Sequence, residues 1–470
     1  MTSDMGQVSE WRKDSLDLLD RYFDNTQYDD LVDWESALEG EYVAIRKRKP
    51  RIIYNVAKVL TNKVASKLVG SSVFPKFIIE EDPDDTMFFR AVQKACNFQL
   101  RLLDPVKHAL RTGSALVRYY FVNGMPMIEH YNSKYCYPEF DDVGELDSVE
   151  IKYVYADEEE KDQITGEYKK KWYRMVLTKT ADILYDNPDY KPNSEPTFKE
   201  VERTTHGLGW VQGEWLCTDK DKHDPDGWSL YEDILGFIDD LNYSLSQSSQ
   251  AIGYNQEPQL GMNGMDEDEI DNLIKSSQKA WNLGKEGKAE FIESDLKGIS
   301  EAREDRDHKR QLMLDVVRVV LHDPEKMVAQ AQSGEALKAL NMPLVELVDE
   351  LRAAFAPSFK NLLLKIGLTT LALNAAGNET AIQVPDGYKP SSLDIDVKWP
   401  LLYPPTINDI NLMSQAANVL STAQIISRES LTRWIAPYVG VENIDEELEK
   451  IESQEPLPSP FGDPMGGGPQ

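Results

Sequence analysis

Basic charge is scarce in this chain of 470 residues: 51 lysines and arginines stand against 81 aspartates and glutamates, a formal net charge of −30. A protein that grips nucleic acid by neutralising phosphates is basic, because much of its affinity comes from released counterions. That class is excluded, and two readings survive. Either nucleic acid is irrelevant, or it passes an acidic wall without sticking. Cysteine is equally sparse, with Cys96, Cys136 and Cys217 far apart. This excludes a disulfide framework or a cysteine metal site and fits a reducing cytoplasm. The six histidines, His108, His130, His206, His223, His308 and His322, show no ligand spacing. No apolar run spans a bilayer and no basic-then-apolar leader opens the chain, so no membrane is expected. A phosphate loop is missing as well. Gly284, Lys285, Gly287 and Lys288 have the wrong spacing and no Ser or Thr follows. Neither GxSxG nor HExxH occurs, and the acidic run 266–269 lacks the glycine turn of an EF-hand loop. The expectation is no catalytic residue, no cofactor, no metal and no enzyme.

What is present is a folded chain. Hydrophobic residues make up 41% and charged residues 28%, too apolar for global disorder. The length suggests about two to four structural units. Helical and acidic sequence runs to about Tyr42, followed by a basic cluster at Arg46, Lys47, Arg48 and Lys49, closed by Pro50. Ile53, Val56, Ala57, Leu60, Val64 and Leu68 recur at three and four, predicting a buried helix stripe with Gly70 as its stop. A second helix is expected from Thr86 to Arg111. The period then changes. Asn123-Gly124 between β-rich flanks predicts a hairpin, and further strands to Trp215 predict a β-meander. Ser229 with Glu232 makes a capping-box pattern that opens a long helix to Ile252. A short mixed segment follows, then a helix from Ser300 to Leu321, broken by His322-Asp323-Pro324. A helix from Glu335 to Ile366 should bend or split at Pro343 and Pro357. A strand from Leu393 to Trp399, two further helices and a Pro/Gly-rich tail complete the chain. The fold class expected is α+β, mainly helical.

Six segments carry a resemblance: IIYNVAKVLTNKVASKLVG (52–70), GSALVRYYFVNGMPMIEHYNSKYCYPEF (113–140), GWSLYEDILGFIDDLNYSLSQSSQAIGYNQEPQL (227–260), SGEALKAL (333–340), VKWPLLYPPTINDI (397–410) and AQIISRESL (423–431). Each is a weak pattern alone. Their collinear order resembles the portal proteins of tailed bacteriophages. Ala423 departs from the glycine that usually opens the last segment.

The resemblance implies a portal-type subunit with wing, stem, clip and crown, assembling as a ring of twelve around an axial channel for double-stranded DNA. Carried over, the wing is 1–228, with a β-rich part at 113–217, and returns as a long helix and strand at 335–410. The stem helices are 229–254 and 299–321, flanking a clip at 255–298. A tunnel loop occupies 322–334, the crown 411–455 and a disordered tail 456–470. The tunnel loop would present His322, Asp323, Glu325, Lys326, Met327, Val328, Gln330 and Gln332 to the channel. The clip, with Asn263, Met265, Lys275, Trp281, Lys285 and Lys288, would dock the motor and later the tail adaptor. Arg46, Lys47, Arg48 and Lys49 would contact DNA or the capsid. The implied partners are the terminase large subunit, a head-completion adaptor, and the major capsid and scaffolding proteins. The implied location is the capsid vertex of the virion, and the host cytoplasm during assembly. From the residues alone, an acidic α+β enzyme or another head or scaffold component remain the alternatives.

The residues add two readings of their own. The polar end of the first stem helix (Ser244, Ser246, Gln247, Ser248, Ser249, Gln250) suits close packing against neighbours, or a plain surface helix end. In the second, Asp305 and Lys309 sit one turn apart among mixed charges, the pattern of a solvated face with weak pairing.

Overall fold

The computed structural model describes residues 2–34, 43–79, 83–161, 166–192, 194–219, 224–256, 259–263, 288–292, 297–321, 339–382, 384, 388–390, 393–403, 407–423, 425–439, 441 and 444–453. The chain divides into two units, one of 1–321 with 343–400 and one of 322–342 with 401–470.

The first unit opens on helix α1 (Thr2–Asp24), which stops well before Tyr42. Asn25 takes a left-handed backbone there, φ 62°, and a short strand β1 (Val32–Asp33) follows. It pairs in parallel with β2 (Arg48–Lys49) inside the basic cluster. Helix α2 (Val56–Leu68) carries the expected stripe, with Val56, Ala57, Leu60, Val64 and Leu68 buried. Its first turn is capped by Asn55, whose side chain accepts from the Lys58 amide at 2.9 Å. Strand β3 (Lys76–Ile78) precedes helices α3 (Pro83–Ala95) and α4 (Phe98–Thr112). The single helix expected from Thr86 to Arg111 is therefore two. Asn97, left-handed at φ 50°, breaks it, a conformation asparagine tolerates better than most residues.

Gly113 ends α4 at φ 84° and hands the chain to β4 (Ser114–Val122). A Cβ there would meet the Gly227 carbonyl oxygen at 2.1 Å, so glycine is required twice over. The hairpin to β5 (Met125–Asn132) turns at Asn123 and Gly124, φ 50° and 75°. Two left-handed residues in a two-residue turn match the right-handed twist of the strands. The meander is present: β6 (Cys136–Phe140), β7 (Leu146–Lys161), β8 (Tyr168–Thr178), β9 (Ala181–Tyr185) and β10 (Glu200–Thr205) form one antiparallel sheet in sequence order. Strand β11 (Gly213–Cys217) instead returns to β4, giving a second sheet β11-β4-β5. Between the sheets lies a core of Leu116, Cys136, Val149, Ile151, Leu177, Val211 and Trp215, all at most 2% exposed. Full burial of one such aliphatic side chain stabilises by about 1.5–3 kcal/mol.

Two helices follow the sheets. The Ser229 start opens as a one-turn 3-10 helix at Glu232–Ile234, and the α-helix α5 runs Leu235–Gln256. The antiparallel strands β12 (Gln259–Asn263) and β13 (Lys288–Ile292) come between it and helix α6 (Lys297–Val316), which ends short of Leu321. Helix α7 (Met342–Ala375) passes through Pro357 without splitting. Pro357 sits on the exposed face between buried Phe355 and Phe359, so the backbone carbonyl it deprives of a donor can be met by water. Pro343 lies in the first turn, where no donor is needed. Another face of α7 is held to the second sheet. Ser358 Oγ donates to the Trp215 carbonyl at 3.4 Å, and Lys365 pairs with Glu214 at 2.7 Å. The late strand is β14 (Asp396–Lys398), antiparallel to β3.

The second unit contributes helices α8 (Ile407–Thr422), α9 (Arg428–Val439) and α10 (Ile444–Ser453). Ser427 opens α9 by accepting from the Ser430 amide at 3.2 Å, the cap that the Ile-Ser-x-Glu sequence foreshadows.

Candidate functional site: the paired helices and the basic segment

Helices α5 and α6 lie side by side and antiparallel. Asp240, early in α5, is 3.6 Å from Lys309, and Ser248, two turns on, accepts from Arg306, earlier in α6. Lys309 also pairs with Asp305 one turn back at 2.9 Å. These pairs are partly exposed, and each contributes little to stability. Both helices also bury apolar side chains, Ile238 and Leu241 of α5 and Met313 and Leu314 of α6, and the other side of α5 is tied to the N-terminal segment.

That side is polar, and its residues recur at helical spacing: Asp239, Asn242, Tyr243, Ser246 and Gln250. Every one is engaged by the N-terminal segment. Asp239 accepts from Tyr22 at 2.8 Å and from Tyr28 at 2.5 Å. Burial, reinforced by the Asp239 charge, holds both phenols well above the usual tyrosine range. Asn242 is fully buried. It accepts from the Tyr54 amide at 2.8 Å and donates to the Tyr28 hydroxyl at 3.1 Å. Ser246, also fully buried, accepts from the Ile52 amide at 3.0 Å. Gln250 accepts from the Trp34 indole at 3.2 Å. Of the polar run from Ser244 to Gln250, Ser246 and Gln250 thus serve contacts within the chain. The sequence separations exceed 180 residues, so no local pattern could have disclosed them.

The basic segment is drawn into the same junction. Arg46 pairs with Asp240 and lies over the Tyr243 ring at 5.2 Å. Arg48 is 5% exposed, donates to the Val43 carbonyl at 2.8 Å and stacks on Trp34. Lys49 pairs with Asp29 at 2.8 Å. Tyr243 donates to the carbonyls of Arg46 and Arg48 at 3.1 and 3.0 Å. Lys47 is exposed and makes no ion pair among the described residues. Three of the four cations singled out as DNA or capsid contacts are therefore engaged within the subunit.

The other sequence-predicted residues are placed as follows. Asn263 ends β12 and faces Lys288 at the start of β13 in register. Met265, Lys275, Trp281 and Lys285 lie outside the described residues. So does the whole tunnel-loop set of His322, Asp323, Glu325, Lys326, Met327, Val328, Gln330 and Gln332. Among the described residues, no group of three or more His, Cys, Asp or Glu is arranged to hold a metal ion. No helix there is long and apolar enough to cross a membrane.

No curated protein matches the chain. Among solved structures, a chain of the virion of a native gene transfer agent particle is similar at 9% identity, with a TM-score of 0.44, over 81% of this chain and 89% of that one. The sequence profile of phage portal proteins of the SPP1 Gp6-like type matches residues 9–456, which includes α5, α6 and nearly every other described element. The chain belongs to the SPP1 Gp6-like family of phage portal proteins.

Proposed function

We propose that the chain is one subunit of a ring at a single capsid vertex, through which double-stranded DNA is packed into a phage head and later released. The observation that carries this reading is the family match across 9–456. In it, α5 and α6 are the stem, β12, β13 and the chain between them are the clip, and 322–334 is the tunnel loop. The sheets and α1 to α4, with α7 and β14, are the wing, and α8 to α10 the crown. An antiparallel helix pair closed by a short insert suits a stem with a docking head at its end. The clip serves the terminase large subunit first and a head-completion adaptor afterwards, and the outer surface meets the major capsid and scaffolding proteins. The role is structural, and hydrolysis of ATP belongs to the separate motor.

The net charge of −30 supports the same reading. DNA that must slide is best served by a wall that repels it, with cations supplied sparingly. In the tunnel loop, Lys326 repeated by symmetry makes a single positive ring that touches phosphates transiently. Negative-stain electron microscopy of the purified protein tests the assembly. Rings with an open axial hole are expected, and monomers at every salt and protein concentration would overturn it. Lys326→Ala should then lower DNA packaging in a reconstituted head while the rings persist; unchanged packaging would remove Lys326 from the mechanism.

A further inference from the structure

A cleft of about 620 Å³ opens at one end of the five-stranded sheet, beside the latter half of β7 and the start of β8. Val154, Ala156, Trp172 and Tyr190 line it. Lys13 of α1, Lys170 of β8 and Lys191 also line it. All three lysines are exposed, and none has an ion pair among the described residues. On the same sheet and its border Lys134, Lys169, Lys171 and Lys179 are paired, while Lys152 and Lys161, like the cleft lysines, make no ion pair among the described residues. Glu195 is the one carboxylate in the lining, which leaves the cleft positive. Its chemistry is an apolar, aromatic hollow with a cationic rim. It would accept an apolar side chain flanked by carboxylates.

The opposite end of β7 presents that shape. The turn 141–145 between β6 and β7 carries Asp142, Val143 and Glu145, all exposed. Val143 is 81% exposed, the highest value among the large hydrophobics left outside the core. Asp141 stabilises the turn from within: its carboxylate accepts from the amides of Val143 and Glu145 at 3.1 and 2.9 Å. The tip is thus a preformed knob, with Val143 projecting between two carboxylates that have no ion pair among the described residues. About ten residues of extended strand separate it from the cleft, roughly 30 Å. The two features cannot meet within one subunit.

A closed ring of identical subunits uses two different, complementary faces, one on each side of every subunit. We propose that the lysine–aromatic cleft of one copy receives the 141–145 turn of the next. This rests on the ring reading above and adds to it which surfaces meet. Strand β7 then spans the subunit from one contact to the other. The pairing also meets an electrostatic need: copies each carrying −30 repel one another unless attraction is arranged locally.

The test is a reciprocal charge exchange in the full chain, followed by mass photometry over protein concentration and by zero-length carbodiimide crosslinking of mixed ¹⁵N-labelled and unlabelled copies. In the wild type, crosslinks from Lys13, Lys170 or Lys191 to Asp142 or Glu145 should join labelled to unlabelled chains. The triple variant Lys13→Glu, Lys170→Glu, Lys191→Glu should need at least about tenfold more protein to assemble, as should Asp142→Lys with Glu145→Lys. Mixing the two variants, which creates matched faces between unlike copies, should restore association. That restoration separates a lost contact from a misfolded subunit. Wild-type rings whose charge-reversed variants assemble at unchanged concentration, or whose cleft lysines crosslink only within their own chain, would overturn the pairing and leave the ring intact. A wild-type chain that never oligomerises would sink the ring reading and this pairing with it. Rings that tolerate the lysine reversal but lose bound DNA would reassign the cleft to nucleic acid.

Discussion

Arg318 holds a left-handed backbone, φ 55°, at the end of α6, and its guanidinium reaches Glu350 of α7 at 2.7 Å. The backbone pattern is a helix stop: the Val319 amide donates to the Leu314 carbonyl and the Arg318 amide to that of Asp315, both at 3.2 Å. Glycine normally fills this position, because a Cβ in the left-handed region costs about 1 kcal/mol. The chain accepts that cost and gains a side chain that ties the end of α6 to α7.

Arg318→Gly removes strain and pair together and should leave stability within about 0.5 kcal/mol of the wild type, since an exposed pair contributes at most about 1 kcal/mol. Arg318→Ala keeps the strain and loses the pair, and should be less stable than the glycine variant by about 1 kcal/mol. Urea unfolding of both decides it. An alanine variant as stable as the glycine one would show that the backbone is not strained there.

Arg12 anchors α1. It pairs with Asp226 at 2.5 Å and donates to the carbonyls of Cys136 and Ser133 at 2.9 and 3.1 Å, with its side chain 13% exposed and that of Asp226 9%. Arg12→Ala leaves a buried carboxylate whose remaining side-chain partner is Ser114 and should cost about 3 kcal/mol or more. Limited proteolysis should then cut first within α1, with the two sheets still intact.

His108 supplies a pH dependence. Arg111 donates to its Nδ1 at 2.8 Å, and arginine can only donate, so the ring is held neutral. Burial, with the Arg111 charge behind it, pushes the imidazole down to about 3. The unfolded chain takes up the proton near pH 6.5 and the folded one does not. This stability is therefore complete above pH 6.5 and declines as the pH falls towards 3. Between pH 7 and pH 5 the loss should be about 2 kcal/mol. His130, also lowered by burial, adds in the same direction. His108→Gln keeps an acceptor for Arg111 and should flatten the profile; a slope unchanged by it would clear His108.

The basic segment separates by substitution. Lys47→Ala should change the unfolding free energy by less than about 0.5 kcal/mol. Arg48→Ala loses its bond to Val43 and its seat on Trp34 and should cost about 1–3 kcal/mol. If a DNA or capsid contact resides in this segment, Lys47→Ala should weaken it in a salt-dependent binding assay without weakening the fold.

Local pattern was enough for several elements. The four-residue spacing of Val56, Leu60, Val64 and Leu68 marked α2, and Asn123-Gly124 marked the hairpin. Pattern failed where a single backbone choice or a face decided the matter. Asn97 splits a run whose periodicity reads as one helix. Pro357 leaves α7 whole because it falls on the wet face. The site was less legible. The run from Ser244 to Gln250 reads as a face for close packing against neighbours or as a plain surface helix end, and Arg46 to Lys49 as a contact for DNA or the capsid or as a solvated turn. The partners that Ser246, Gln250 and the Arg46 side chain find lie some two hundred residues away, while the side chains of Arg48 and Lys49 meet Val43 and Asp29, much nearer in sequence.

The sequence by itself determined the family, the α+β class and the acid surplus, because collinear motifs, residue periodicity and charge are all properties of chain order. Tertiary structure decided what each polar residue is used for. Asp239 meets Tyr22 and Tyr28, Asp240 meets Arg46, and Arg48 is buried against Trp34, while Lys13, Lys170 and Lys191 are left facing outward. A buried polar group must find a partner. Which partner it finds depends on the neighbours that packing brings within 3 Å, and sequence order does not encode that distance.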